Sequence, residues 1–230
     1  MQNEKRTNGK KSRKPLAVLL AVALLVVCAV GGTMAWLTSS PGAVTNSFTI
    51  GNINIELTEK TTDYKMIPGH TIDKDPVVTV KAGSEDCYVF VEVTEECGVT
   101  GKSFGDYIKY SVNLKDSAGN GNFQALGNSY PNVYYCVAED IKADRPIKIL
   151  GGGNYLYENI NYKWSEQQVL TRPEVTKEMM EAAVEKDNNG DAVGSKVKLT
   201  FTAYAVQYLK DNEKPFTPEE AWALVKPSGT

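Results

Sequence analysis

Leu16–Val30 is a run of fifteen residues with no charged, hydroxyl or amide side chain. A stretch of that kind does not sit on the surface of a water-soluble domain. Lys5, Arg6, Lys10, Lys11, Arg13 and Lys14 precede it, and Gly31-Gly32-Thr33-Met34-Ala35 follows. Charged region, apolar region and small residues, in that order, make an export signal. Thr33 and Ala35 stand two apart, as the small side-chain pockets of a signal peptidase require. The cut is therefore expected after Ala35, with Trp36 as the mature N-terminus. At about 1.5 Å per residue the apolar run falls short of a hydrocarbon layer roughly 30 Å thick. No charge stands between Lys14 and Glu56, however. An uncleaved membrane anchor is the competing reading, and the signal segment is the only route to a membrane in this chain. Lipidation of Cys28 is disfavoured by the bulky Val27 before it.

Removing residues 1–35 from 230 leaves 195, enough for one secreted domain over 36–230 with a substantial core. The signal carries six of the 25 basic residues and one of the 28 acidic ones, so 19 against 27 remain and the mature net charge is −8. Such a balance argues against nucleic acid as a partner and favours solubility. Without Cys28, three cysteines remain, an odd number. Cys87 and Cys97 bracket an extended run that puts them about 33 Å apart at roughly 3.3 Å per residue, so they cannot bridge. A pairing that involves Cys136 is the one disulfide left open, and buried free thiols are the favoured state.

Hydrophobic periodicity reads as strand nearly throughout. Ile53, Ile55 and Leu57 alternate with Asn54 and Glu56, and further strands are expected at Val77–Lys81, Cys87–Glu95, Val133–Ala138, Ile147–Leu150, Asn159–Trp164 and Lys196–Leu209. Tyr107–Leu114 has the cleanest alternation of all. Ile67-Pro68-Gly69-His70 reads as a tight turn, while 116–122 and the triplet Gly151-Gly152-Gly153 read as loops. Thr171 and Glu174 look like the capping box of a helix carrying Val175, Met179, Ala182 and Ala183 on one side. Thr217 and Glu220 repeat the signature before Ala221, Trp222, Leu224 and Val225. About eight strands, one inserted helix and a short C-terminal helix, without strand–helix alternation, imply a mainly β antiparallel sandwich.

Catalytic chemistry finds little footing. The single histidine, His70, excludes a zinc site of the His-Glu-x-x-His kind. Gly101-Lys-Ser103-Phe-Gly105 matches a nucleophile-elbow pattern, but a strand follows where a helix is needed and His70 lies upstream. An order of His70, Asp73 or Asp86, and Ser103 is a second, weaker arrangement. Residues 185–191 have calcium-loop spacing, yet the twelfth position is Lys196 where a bidentate Glu belongs, leaving at most a weak surface calcium site. No cofactor, metal or catalytic residue is expected.

The junction 31–38, followed by Asn46-Ser47-Phe48-Thr49-Ile50-Gly51-Asn52-Ile53, resembles the TasA/camelysin family of exported proteins. Ile67-Pro68-Gly69 with Lys74-Asp75, the strand 197–208, and the ending Phe216-Thr-Pro-Glu-Glu-Ala-Trp222 resemble it as well. The resemblance implies a jelly-roll sandwich, cleavage by a SipW-type signal peptidase, an extracellular location in Gram-positive bacteria, and a structural role in the biofilm matrix or at the cell surface. It also implies fibres in which a freed N-terminal segment adds to another copy's sheet. On that reading residues 36–52 form a mobile arm, with Trp36, Leu37, Val44 and Phe48 as anchors. Pro41-Gly42 interrupts it, so pairing is expected mainly from Ala43 onward. A camelysin-like secreted peptidase and a monomeric ligand-binding sandwich are the alternatives.

Overall fold

Two eleven-residue strands, Cys87–Cys97 and Val197–Gln207, form the spine of the molecule, paired antiparallel along their whole length from Cys97 opposite Val197 to Cys87 opposite Gln207. The computed structural model describes residues 52–60, 65–210 and 214–226, together with the backbone of 47–50. Outside the described residues lie the export signal and its cut at Thr33, Ala35 and Trp36, as do the anchors Leu37 and Val44. All described residues belong to one compact unit.

Beside the spine, Val133–Ala138 pairs antiparallel with Cys87–Cys97 and carries the short strand Gln124–Ala125 on its far side. Ser47–Ile50 closes the other edge, parallel to Val197–Gln207. Two three-stranded sheets and a two-stranded one make up the facing layer. In one, Val77–Val80 lies between Ile55–Thr58 and Arg145–Lys148; in another, Gln168–Thr171 lies between Thr71–Asp73 and Ile108–Lys109. The fold is thus mainly β, largely antiparallel and sandwich-like, with helices only at Lys177–Ala183 and Pro218–Val225 apart from one short 3-10 turn among the described residues.

Alternation does what period two predicts. Ile53, Ile55 and Leu57 are buried while Asn54 and Glu56 are exposed, and Val197, Leu199, Phe201, Ala203 and Ala205 share the inner face with Val89, Val91 and Val93. The spine strands bury their second face too. Tyr88, Phe90, Tyr204 and Val206 point outward, where the C-terminal helix covers them with Ala221 and Trp222. Thr217 starts that helix through a reciprocal capping box, its hydroxyl accepting from Glu220 N–H and the Glu220 carboxylate accepting from Thr217 N–H. The Pro68-Gly69 turn forms as expected, with His70 N–H donating to Ile67 O at 3.0 Å and Gly69 at φ +75°.

Four sequence expectations are corrected. Tyr107–Leu114 is not one strand: Ile108–Lys109 pairs with Leu170 and Thr171, Ser111–Val112 pairs with Gly151 and Leu150, and Leu114 is 46% exposed. The chain crosses there from one small sheet to another, which alternation alone does not reveal. Gly151-Gly152-Gly153 is no free loop but a close crossing. A Cβ on Gly153 would run into the Trp164 ring, and one on Gly151 would meet the Asn113 backbone at 3.1 Å. Thr171 ends a buried strand instead of capping a helix; the cap is Thr176, whose hydroxyl accepts from Met179 N–H, and Ala182 faces solvent. Asn159 belongs to the turn before its strand, since Glu158 and Asn159 both take positive φ in a two-residue hairpin.

Candidate functional site

Ser47–Ile50, the first described strand, lies along Val197–Gln207 at one end of the five-stranded sheet. Phe48 stands opposite Tyr204, Ser47 opposite Ala203, Thr49 opposite Ala205 and Ile50 opposite Val206. These four partners are buried, Ala203 and Ala205 on the inner face and Tyr204 and Val206 on the outer. The C-terminal helix lies against Ser47–Ile50 as well as against both spine strands. Of the expected anchors, only Phe48 falls among residues whose backbone is described, and its strand occupies the chain's own sheet. Among the described residues this four-residue parallel strand pairs with Val197–Gln207 alone, so its retention depends on few ladder bonds.

The candidates for chemistry are not brought together. Ser103 caps the 3-10 turn Phe104–Asp106, its hydroxyl donating to Asp106 Oδ2 at 2.9 Å while Ser103 N–H donates to the same oxygen at 2.8 Å. Those two bonds, the backbone one foremost, hold the Asp106 carboxyl below the usual carboxylate range. Exposed His70 places Nδ1 3.1 Å from Pro68 O and so serves its own turn. At 187–191 the Asp187 Oδ1 accepts from the N–H of Asn189 and of Asp191, each at 2.9 Å, closing a hairpin turn. Among the described residues no cluster of three or more His, Cys, Asp or Glu is arranged to hold a metal ion. Nor is any described helix long and apolar enough to cross a membrane. Cys87, Cys97 and Cys136 are free thiols. Burial pushes Cys87 and Cys136 up to about 12, which keeps both protonated and poorly nucleophilic.

Two polar clusters escaped the sequence reading. Arg172 Nη2 donates to Glu174 Oε1 and to Tyr155 Oη, both at 2.7 Å, and Tyr155 Oη donates in turn to Glu174 Oε1; Arg172 Nη1 donates to Gly105 O at 2.9 Å. Burial raises Glu174, but the bonds from Arg172 and Tyr155 outweigh it and hold the carboxyl low. Arg172 and Glu174 stand two apart in sequence, a faint signal, whereas Tyr155 arrives from a hairpin with no local clue. Lys74 and Glu59 form an ion pair at 2.7 Å with both side chains 2% exposed, and burial lowers Lys74 in spite of its partner. Both clusters tie loops to the sandwich; neither presents a nucleophile.

Comparison with family models, characterised proteins and solved structures finds no match for this chain.

Proposed function

We propose that this chain is a secreted structural protein of the cell surface or biofilm matrix, of the TasA/camelysin kind, that assembles by exchanging its N-terminal strand between copies. The supporting observation is the position of Ser47–Ile50 as the outermost described strand of the five-stranded sheet, directly after the uncharged segment 36–46 of the sequence. The same ladder bonds form whether the strand comes from its own chain or from a neighbour, so concentration and strain in the connection decide between the two. On this reading the acceptor is the Val197–Gln207 edge, the partners are a SipW-type signal peptidase and further copies of the chain, and the sandwich is of jelly-roll type.

Mass spectrometry of the secreted protein tests the first step, with Trp36 as the expected first residue; an N-terminus that retains residues 1–35 overturns it. Electron microscopy of protein starting at Trp36, beside protein starting at Ile53, tests the second. Filaments are expected from the longer form alone. If both stay monomeric at high concentration, exchange is wrong.

A further inference from the structure

The buried alternation of the inner face is interrupted at Glu95, which is exposed between buried Val93 and half-buried Cys97. Around it lies a cleft of about 400 Å³ lined by Val93, Glu95, Tyr110, Pro131, Asn132 and Tyr134, a size ordinary for small-molecule sites. Tyr134 reaches it from the neighbouring strand, opposite Val91, and Tyr110 from the crossing point in the facing layer. Glu95 is the one charged residue of the lining, and no lysine, arginine or histidine shares it. Tyr110 Oη donates to Glu95 Oε1 at 2.7 Å, which orients the carboxylate beside the ring. Burial and then the Glu95 charge raise Tyr134, and burial with the bond to Glu95 raises Tyr110. Both rings thus stay neutral beside the Glu95 carboxylate, the one charged group of the lining.

Elsewhere the chain fills such positions itself. Lys109 and Arg172 lie over Tyr155, Lys210 over Phe216 and Lys226 over Tyr130, at 5.2 to 5.9 Å from the ring centroids. Among the described residues no cation lies over Tyr110 or Tyr134. We propose that this cleft is a binding site for an organic ammonium group, held between Tyr110 and Tyr134 with Glu95 as its counter-charge. Aromatic faces attract a poorly hydrated cation through the ring quadrupole, and a carboxylate at the same place adds direct Coulomb attraction. The site is independent of strand exchange, lying at the other side of the spine from the Ser47–Ile50 edge.

Titration of the full chain with choline, followed by the NMR signals of the tyrosine rings, tests the proposal. Its neutral analogue 3,3-dimethylbutan-1-ol has the same shape without the charge. Choline is expected to shift the rings saturably and to bind roughly tenfold more tightly than the alcohol, the scale of a partly desolvated cation–π contact. Glu95→Gln, at an exposed position, is expected to fold normally and to remove most of that preference; Tyr134→Leu serves as the second variant and weakens choline binding. A stronger response to Nα-acetyl-lysine methylamide than to choline identifies a protein lysine as the source of the ammonium group, and a weaker one a small quaternary amine. Equal binding of choline and the alcohol, no saturable shift, or unchanged choline binding by Glu95→Gln overturns the proposal.

Discussion

On one face of the five-stranded sheet the buried side chains are mostly aliphatic and lie between two β layers; on the other they are mostly aromatic and lie under a single helix. The inner set, Val89, Val91, Val93, Leu199, Phe201 and the alanines between, meets Ile55, Leu57, Val78, Val80 and Ile147 from the facing sheets. The outer set centres on Trp222, whose ring lies 5.3 Å from Phe90, 5.1 Å from Tyr204 and 6.3 Å from Tyr130. Tyr88 adds a bond from its hydroxyl to Phe216 O at 2.8 Å, anchoring the segment that leads into the helix. The inner core is locked by strands from the length of the chain. One eight-residue helix with its lead-in, joined by Leu126 and Tyr130 from the segment before Val133, completes the outer core, so it can open without dismantling the sandwich.

Phe201→Ala should have the largest effect. The ring is 1% exposed between layers that cannot collapse onto the gap, so a loss of about 3–5 kcal/mol in chemical denaturation is expected. A cost near zero would remove the distinction between the faces. Trp222→Ala should cost somewhat less, roughly 2–4 kcal/mol, because helix detachment caps the penalty. Hydrogen exchange should then show Pro218–Val225 opening while Cys87–Cys97 keeps its protection; equal loss in both would make the two cores one cooperative unit. Trp222→Phe sharpens this, since the buried Nε1 has no hydrogen-bond partner among the described residues to lose.

Gly153→Ala probes the facing layer, where the new methyl group would run into Trp164 and Ser111 Oγ at 2.8 Å. Overpacking of that kind costs about 1–3 kcal/mol, visible as a lower Tm. The smallest effect concerns the inner thiols. Cys87 and Cys136 are raised by burial from 9.0 to about 12, so their contribution is complete below pH 9 and is lost as the pH climbs toward 12. Cys136→Ala should therefore flatten the alkaline fall in stability by at most about 1.4 kcal/mol per pH unit relative to the parent. Identical slopes would show that these thiols ionise as freely folded as unfolded.

Much of the five-stranded sheet was legible. Val197–Gln207 and Val133–Ala138 announce themselves because each buries an unbroken apolar stripe, and Thr217–Glu220 because capping is satisfied within three residues. The Tyr107–Leu114 segment misled because alternation reports which residues want burial and is silent on which strand receives them. The glycine triplet misled in the same way, as its reason lies in Trp164 and Asn113, not in its neighbours. Of the expected site residues, Phe48 alone falls among those with a described backbone, and its pairing with the chain's own edge was not visible in a reading that looked for a donated strand.

Local chemistry in the sequence determined the class of the fold, the faces of its long strands and the start of its last helix, because periodicity and caps act between residues a few positions apart. Only the tertiary structure decided which edge takes Ser47–Ile50, how Arg172 meets Tyr155, and that Glu95 opens a cleft beside two tyrosines. Those contacts join residues whose separation along the chain carries no signal, and their energy exists only once the layers have closed.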